Sequence, residues 1–388
     1  MTVSSLSQLL LTLERNWPTV SETVARGNIN MLKSFLGPAY RGLILRSNKG
    51  ASSTIMNANH GVCYDWQYMR EFPAMAKLYE AAKSGQWNTN DGTLDWSQEV
   101  NPLDEVNHLI PDSFCPGVVL PVWGKMAEKE KAVHRQALLS WMLSQILHGE
   151  QGALYGAAQV LQSVPWLDGK LFGATQVVDE ARHIEVFHRY LTEKLCRKYE
   201  INENLYVLSE ALVADSRWDV KFLGMQIMIE GFALGAFTMI RGIVSDPLLQ
   251  NIMKYIVADE ARHVNYGVLA LKRFYDEELN EKERAEREDL AFEISLLLQR
   301  RFLIHEMYEE YWGNYFTLKE WNKFASESQL MTFFRKSMFR LMIPNLKRLG
   351  LLTDRIKPRY AEMGILKFEN GRAMSDMSQE EILAAPFA

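Results

Sequence analysis

The sequence predicts an all-α fold, a four-helix bundle with additional N-terminal and C-terminal helices, and three observations carry that prediction. Apolar residues recur three and four positions apart through 124–162, 169–199, 206–244 and 247–279, as at Leu138, Trp141, Met142 and Ile146. The connections at 163–168 and 245–247 are short, so each helix folds back on its predecessor. The two resulting hairpins also read as copies of one another. Asp-Glu-Ala-Arg-His stands at 179–183 and again at 259–263, each with a glutamate thirty residues upstream, so Glu150, Glu180 and His183 match Glu230, Glu260 and His263 at a constant offset of eighty (180 to 260).

The elements follow in chain order. Spaced Leu, Val and Met predict one or two helices over 4–36, broken at Gly37 and Pro38, and the polar stretch 41–60 reads as a surface connection. A helix is expected over 66–83, with Pro73 early in it or kinking it. Residues 84–122, rich in Gly, Asn, Asp and Pro, read as a long ordered arm of the kind that wraps a surface or covers a site. Within the bundle the third helix is open to interruption at 214–219. A fifth long helix is expected over 281–313 and another over 319–349, with Pro344 bending or ending it. Residues 350–388 read as short elements. No composition break marks a second domain, so 1–388 is taken as one helical domain. Its parts are N-terminal helices and arm 1–123, a duplicated di-metal-binding core 124–279 and a C-terminal helical extension 280–388.

Composition narrows the function classes. The 388 residues carry a formal charge of -5, which gives no electrostatic case for nucleic acid or an anionic membrane surface. No uninterrupted apolar run reaches the length of a bilayer span, and no signal-peptide pattern opens the chain. Cys63, Cys115 and Cys196 lie far apart, offering neither a zinc-ribbon spacing nor a disulfide framework, and a cytoplasmic location is the expectation. There is no Gly-rich nucleotide loop and no iron-sulfur cysteine pattern.

The repeated residues read as a metal site. Residues three apart share a helix face, so Glu180 with His183 and Glu260 with His263 each converge. Glu150 and Glu230 add one carboxylate from each remaining helix, about 13 helical residues from its turn, or about 20 Å, so that the ligands meet at one level. A glutamate from two helices and Glu-x-x-His from the other two is the donor set of ferritin-like di-iron and di-manganese proteins. Four glutamates buried without cations would need unusual protonation or many partners. Imidazole and carboxylate favour iron or manganese over a structural zinc. The expected cofactors are therefore two Fe ions, with Mn or a mixed Mn/Fe pair accepted by the same donors. Asp179 and Asp259 are placed to accept from the far ring nitrogen of a ligand histidine across the bundle, with Arg182 and Arg262 balancing their charge.

On these motifs the chain resembles the ferritin-like di-iron carboxylate superfamily, near ribonucleotide reductase small subunits and bacterial multicomponent monooxygenase hydroxylases. The resemblance spans mainly 124–279. It implies a non-haem diiron oxygenase or oxidase that activates O2 as co-substrate, with Glu150, Glu180, Glu230 and Glu260 as the catalytic carboxylates. Three positions depart from subclass patterns. Phe187 stands where radical-forming subunits commonly carry tyrosine, Ile256 where one type of amine N-oxygenase carries a further histidine, and Leu234 where multicomponent hydroxylases often carry threonine. Tyr155 and Tyr190 are other candidate radical sites, and His148 and His188 lie near the pattern without belonging to it.

Leu154, Phe187, Leu234 and Phe237 are read as walls of an apolar substrate chamber, with bundle core as the competing reading. Gly149, Gly152, Gly156, Gly231 and Gly235 cluster about the upstream glutamates, either to open space at the metals or to let helices pack closely. Trp87, Leu94 and Trp96 are expected to anchor the arm. The resulting expectation is an O2-dependent oxidation of a small or amphipathic organic substrate, with electrons from a separate donor protein and a homodimer compatible with the chain. A radical-generating subunit and a non-catalytic iron-binding or storage protein are the alternatives.

Overall fold

The computed structural model describes residues 10–11, 14–18, 21–22, 24–25, 27, 29–46, 49 and 59–384. Among these residues the regular structure is all helical, a core bundle with extra helices and no sheet. Part of the helix expected over 4–36, and most of 47–58, lies outside the described residues. Helix α1 (Ile29–Ala39) runs through Gly37 and Pro38 and passes into a π-helical turn, Tyr40–Ile44, with Gly42 and Leu43 buried. The expected break at Gly37 and Pro38 is thus corrected, since a π turn accommodates the irregularity without ending the helix.

Helix α2 (Pro73–Ser84) starts at its proline, where the missing N–H costs nothing. The backbone N–H of Phe72, just ahead of it, donates to Asp168 Oδ2 at 2.9 Å. The arm 85–127 has only short 3-10 turns. Leu94 is buried, and Trp96 donates to the Thr89 carbonyl at 2.9 Å beneath the Arg189 guanidinium.

Four helices form the bundle: α3 (Glu128–Ser163), α4 (Leu167–Arg189), then, after α5 (Glu203–Ala214), α6 (Trp218–Ile243) and α7 (Pro247–Glu277). Helix α3 packs on α4 and α6 on α7, giving the two hairpins. The gap expected at 214–219 falls at Asp215–Arg217, where Asp215 accepts from the Arg217 backbone at 2.8 Å. The buried Lys221 ammonium donates to the Val213 carbonyl at 2.8 Å and the Leu212 carbonyl at 3.2 Å, closing the end of α5. Helix α7 is capped by Asp246, which accepts from Leu248 and Leu249 N–H and also from Tyr190 Oη at 2.6 Å. Trp166, in the α3/α4 turn, meets Trp218 at the start of α6 with ring centroids 5.7 Å apart. These two contacts fix the directions: α4 and α6 run together, from the Trp166/Trp218 end to the Tyr190/Asp246 end.

Helix α6 is long and apolar enough, by length and composition, to cross a membrane, although Lys221, Gln226 and Glu230 interrupt its apolar run. Its most apolar 18-residue window, however, is 94% buried inside the protein. It is a helix buried on nearly all sides, most of its few polar residues included. Residues Leu223–Ile229 within it are π-helical and end at Glu230, so the backbone is widened just before a glutamate of interest.

Helix α8 (Glu281–Arg300) opens with a reciprocal Asn280/Glu283 cap. The next expected helix divides at Ser328 into α9 (Leu318–Glu327) and α10 (Gln329–Arg348), and Pro344 lies inside α10 rather than ending it. Helix α10 packs on α6 so closely that a Cβ at Gly235 would lie 2.7 Å from Met338 Cα. At Gly156 the limit is the Met225 side chain, at 3.1 Å. Close helix packing is what these two glycines serve.

Candidate metal centre

Glu150 rises from α3, Glu180 and His183 from α4, Glu230 from α6 and Glu260 and His263 from α7, and all six are buried. His183 Nδ1 faces Glu150 Oε2 at 3.2 Å, Glu180 Oε2 at 3.4 Å and Glu260 Oε1 at 3.2 Å. His263 Nδ1 faces Glu180 Oε1 at 3.2 Å, Glu260 Oε2 at 3.4 Å and Glu230 Oε2 at 4.0 Å. Glu180 and Glu260 therefore each turn one oxygen to either histidine, while Glu150 belongs to one side and Glu230 to the other. Donor atoms of Glu150, Glu180, His183 and Glu260 lie within 4.8 Å of one another, as do those of Glu180, Glu230 and His263.

The outer nitrogens of the two rings are held crosswise. His183 Nε2 lies 3.2 Å from Asp259 Oδ2, on the opposite hairpin, and His263 Nε2 lies 3.2 Å from Asp179 Oδ2. Each carboxylate favours a proton on Nε2, so Nδ1 is the ring nitrogen turned to the interior. Arg182 donates to Asp179 and Arg262 to Asp259 one turn away, and the arm completes the layer. Gln86 Nε2 donates to Asp179 Oδ1 at 3.1 Å and Trp87 Nε1 to Asp259 Oδ2 at 2.8 Å, with Arg182 stacked on the Trp87 ring. Burial would raise the Asp259 carboxyl, but the His183 contact and the Arg262 charge outweigh it and hold it down at about 2.

The interior has the polarity of a cage for cations. Glu180 Oε2, Glu230 Oε2, Glu260 Oε2 and His263 Nδ1 are buried and make no hydrogen bond. Burial drives the Glu150 carboxyl up; at Glu230 burial and then the charges of Glu180 and Glu260 do the same. Burial opposes protonation of His183 and His263, yet the surrounding carboxylates raise both rings well above the usual value. Glu180 is also pushed up by burial, and the two histidines more than reverse it. Protons thus do in this cage what divalent cations do better, because orphaned oxygen and nitrogen donors in two adjoining groups fit a pair of metal ions.

One contact was not anticipated from sequence. Gln176, fully buried one turn before Glu180, donates through Nε2 to Glu180 Oε1 at 3.1 Å and Glu230 Oε1 at 2.9 Å. Its spacing of four from a ligand glutamate was the available signal.

Other expected positions separate. Phe187, Leu234 and Phe237 are buried, with the two phenylalanine rings stacked at 6.0 Å. Leu154 is half-buried one turn past Glu150, toward the opposite end of the bundle, so the four do not form one wall. Tyr190 is bonded to Asp246 and Tyr155 is exposed. His148 Nε2 contacts the Tyr199 carbonyl at 3.0 Å, and His188 is exposed. A groove of about 630 Å³ lies on the outer face of α7 against α2, lined by Phe72, Leu78, Val268 and Leu269 with Lys77 and Lys272.

The bundle and its two donor groups are those of a ferritin-like diiron-carboxylate domain, an arrangement consistent with oxidoreductase-type chemistry. Residues 174–302, a third of the chain, match the family described as long-chain fatty aldehyde decarbonylase. That match includes Glu180, His183, Glu230, Glu260 and His263 and begins after Glu150. It supports the broad superfamily and neither of the two branches named from sequence. No curated protein matches the chain.

Proposed function

We propose that this protein is an O2-activating non-haem diiron oxidoreductase or oxygenase acting on a small or amphipathic organic substrate, with 124–279 as its duplicated core. The observation that carries the reading is the pair Glu180 and Glu260, each offering one oxygen to each histidine side. Glu150 and His183 would hold one ion, Glu230 and His263 the other, and the two shared glutamates both. A bound pair of Fe(II) ions supplies two electrons to O2 at a single place, and further electrons come from a separate donor. The chain's own contribution is positional. Asp179 and Asp259 keep each Nε2 protonated, and the packed helices exclude bulk water from four carboxylates. Gln176 holds Glu230 by one oxygen and leaves Oε2 free.

The matched family's description names the first compounds to assay, long-chain aldehydes, which are amphipathic. The test is anaerobic Fe(II) loading, O2 exposure and product detection by mass spectrometry across an organic substrate panel that includes them. Glu180→Ala, with folding verified by circular dichroism, serves as control. Two irons per chain and a product that this variant fails to form are expected. Equal product from the variant, or one iron per chain with no second site, defeats the assignment.

A further inference from the structure

The internal repeat fails one turn before each glutamate of the cage. Gln176 precedes Glu180 by four, and its mate eighty positions later is Ile256; Gln226 precedes Glu230 by four, and its mate eighty positions earlier is Ile146. Since α4 and α6 run together, both glutamines are displaced toward the Trp166/Trp218 end. The two isoleucines fall toward the Tyr190/Asp246 end, with Leu234 and the stacked Phe187 and Phe237. At these matched positions one end of the cage carries two amides and the other two hydrocarbon side chains.

Both glutamines are fully buried, and three of their four amide atoms have no partner: Gln176 Oε1, Gln226 Oε1 and Gln226 Nε2. Gln226 sits on the π-helical segment, on the face of Glu230, and packs against α7 one turn past His263. A Cβ on Gly267 would lie 2.9 Å from Gln226 Cβ. An amide buried with neither end satisfied is costly, and natural cores retain few of them. Two free carbonyl oxygens and one free NH2 call for a neutral group that donates twice and accepts once. A primary carboxamide has that complement, whereas an aldehyde has no donor and a carboxylate has none either.

We propose that Gln176 and Gln226 bind the neutral polar end of the organic substrate, a primary carboxamide or a group of the same donor and acceptor pattern, beside the Glu230/His263 side of the cage. This assignment rests on the oxidoreductase reading for the word substrate, but its binding chemistry can be read without turnover. Gln176 is then shared: its NH2 positions Glu230 and its carbonyl takes the ligand. At the other end the matching positions are Ile146 and Ile256, whose side chains have no atom that can pair with such a group.

The experiment is calorimetric titration of the full chain, metal-free and Co(II)-loaded, with acetamide, butanamide and octanamide, and with octanal and octanoate for comparison. Saturable binding of at least one amide is expected, weakened tenfold or more in Gln226→Met, with no comparable loss for octanal or octanoate. Ligand-free Gln226→Met should melt no lower than wild type, because it removes an unpaired amide. Gly267→Ala, whose methyl presses on Gln226, should weaken the amide as well and keeps the test available if the first variant misfolds. Absence of amide binding by wild type overturns the proposal, as does unchanged amide affinity in both variants. A Gln226→Met protein that melts well below wild type also overturns it, since the amide would then have an internal partner such as a buried water. Failure of the diiron reading is distinct: Co(II) stoichiometry would depart from two per chain while amide binding persisted.

Discussion

Replacing Asp259 by asparagine should weaken one metal position and spare the other. Asp259 accepts from His183 Nε2 at 3.2 Å, from Trp87 Nε1 at 2.8 Å, from Arg182 at 3.4 Å and from Arg262. An asparagine has one oxygen where the carboxylate has two, so either orientation turns an NH2 toward an N–H donor. A hydrogen bond to a charged acceptor contributes about 1.5–3 kcal/mol. At about 1.4 kcal/mol per tenfold this is roughly ten- to a hundredfold in affinity, the range found when the outer partner of a ligand histidine is lost. Stepwise Co(II) titration, followed by calorimetry and visible absorption, should show that loss in one of two equivalents for Asp259→Asn. Asp179→Asn should weaken the other equivalent, and the double variant both. Wild-type affinity for both ions in Asp259→Asn, or equal loss at both, would refute the crosswise assignment of the histidines.

Other outcomes follow from single contacts. His134 is enclosed by Trp123, Tyr311 and Trp312, and burial pushes its ring down to about 4. The unfolded chain therefore takes up this proton first, and stability should fall as pH drops from about 6.5 toward 4; melting curves across that window should flatten in His134→Phe. Gly235→Ala sets a methyl against Met338 Cα and the Ser337 carbonyl, which are backbone and cannot rotate away. A loss of about 1–3 kcal/mol is expected in urea unfolding. Trp87→Phe keeps most of the ring but drops the donor to Asp259, and should cost about 1.5–3 kcal/mol in the same assay. Chelation of metal from loaded protein should lower the melting temperature, by the linkage of binding to the folded state alone; an unchanged melting curve would mean that the cage is not occupied.

The fold was readable where one physical signal ran long. Helical periodicity and two short turns located α3 and α7 to within four residues at each end, whereas 169–199 overran α4 and 206–244 covered both α5 and α6; the repeated pentapeptide with its upstream glutamate singled out the six residues that meet in the cage. Contacts that depend on distant pairing were not readable. Trp87 reaches Asp259 across 172 positions, and nothing in QWNTNDGTLDW names that partner. The helix break at Ser328 escaped because proline at 344 was the stronger local signal, yet a long helix tolerates it. Leu154 looked equivalent to Leu234 because the repeat aligns them, but the hairpins run in opposite directions and send the two toward opposite ends. Gln176 and Gln226 were legible in principle: comparing the two copies at positions other than the donors shows glutamine against isoleucine twice.

Helix α6 has a consequence for biosynthesis. With residues 218–243 synthesised, the ribosome has released a segment whose composition suits a lipid bilayer, while the helix that closes on Gly235 is still untranslated. Partial folding of α3 and α4 can shelter one side of it, but the opposite side waits for residues 329–348. A chain truncated before α10 should consequently aggregate or engage chaperones even though every residue of the cage is already present.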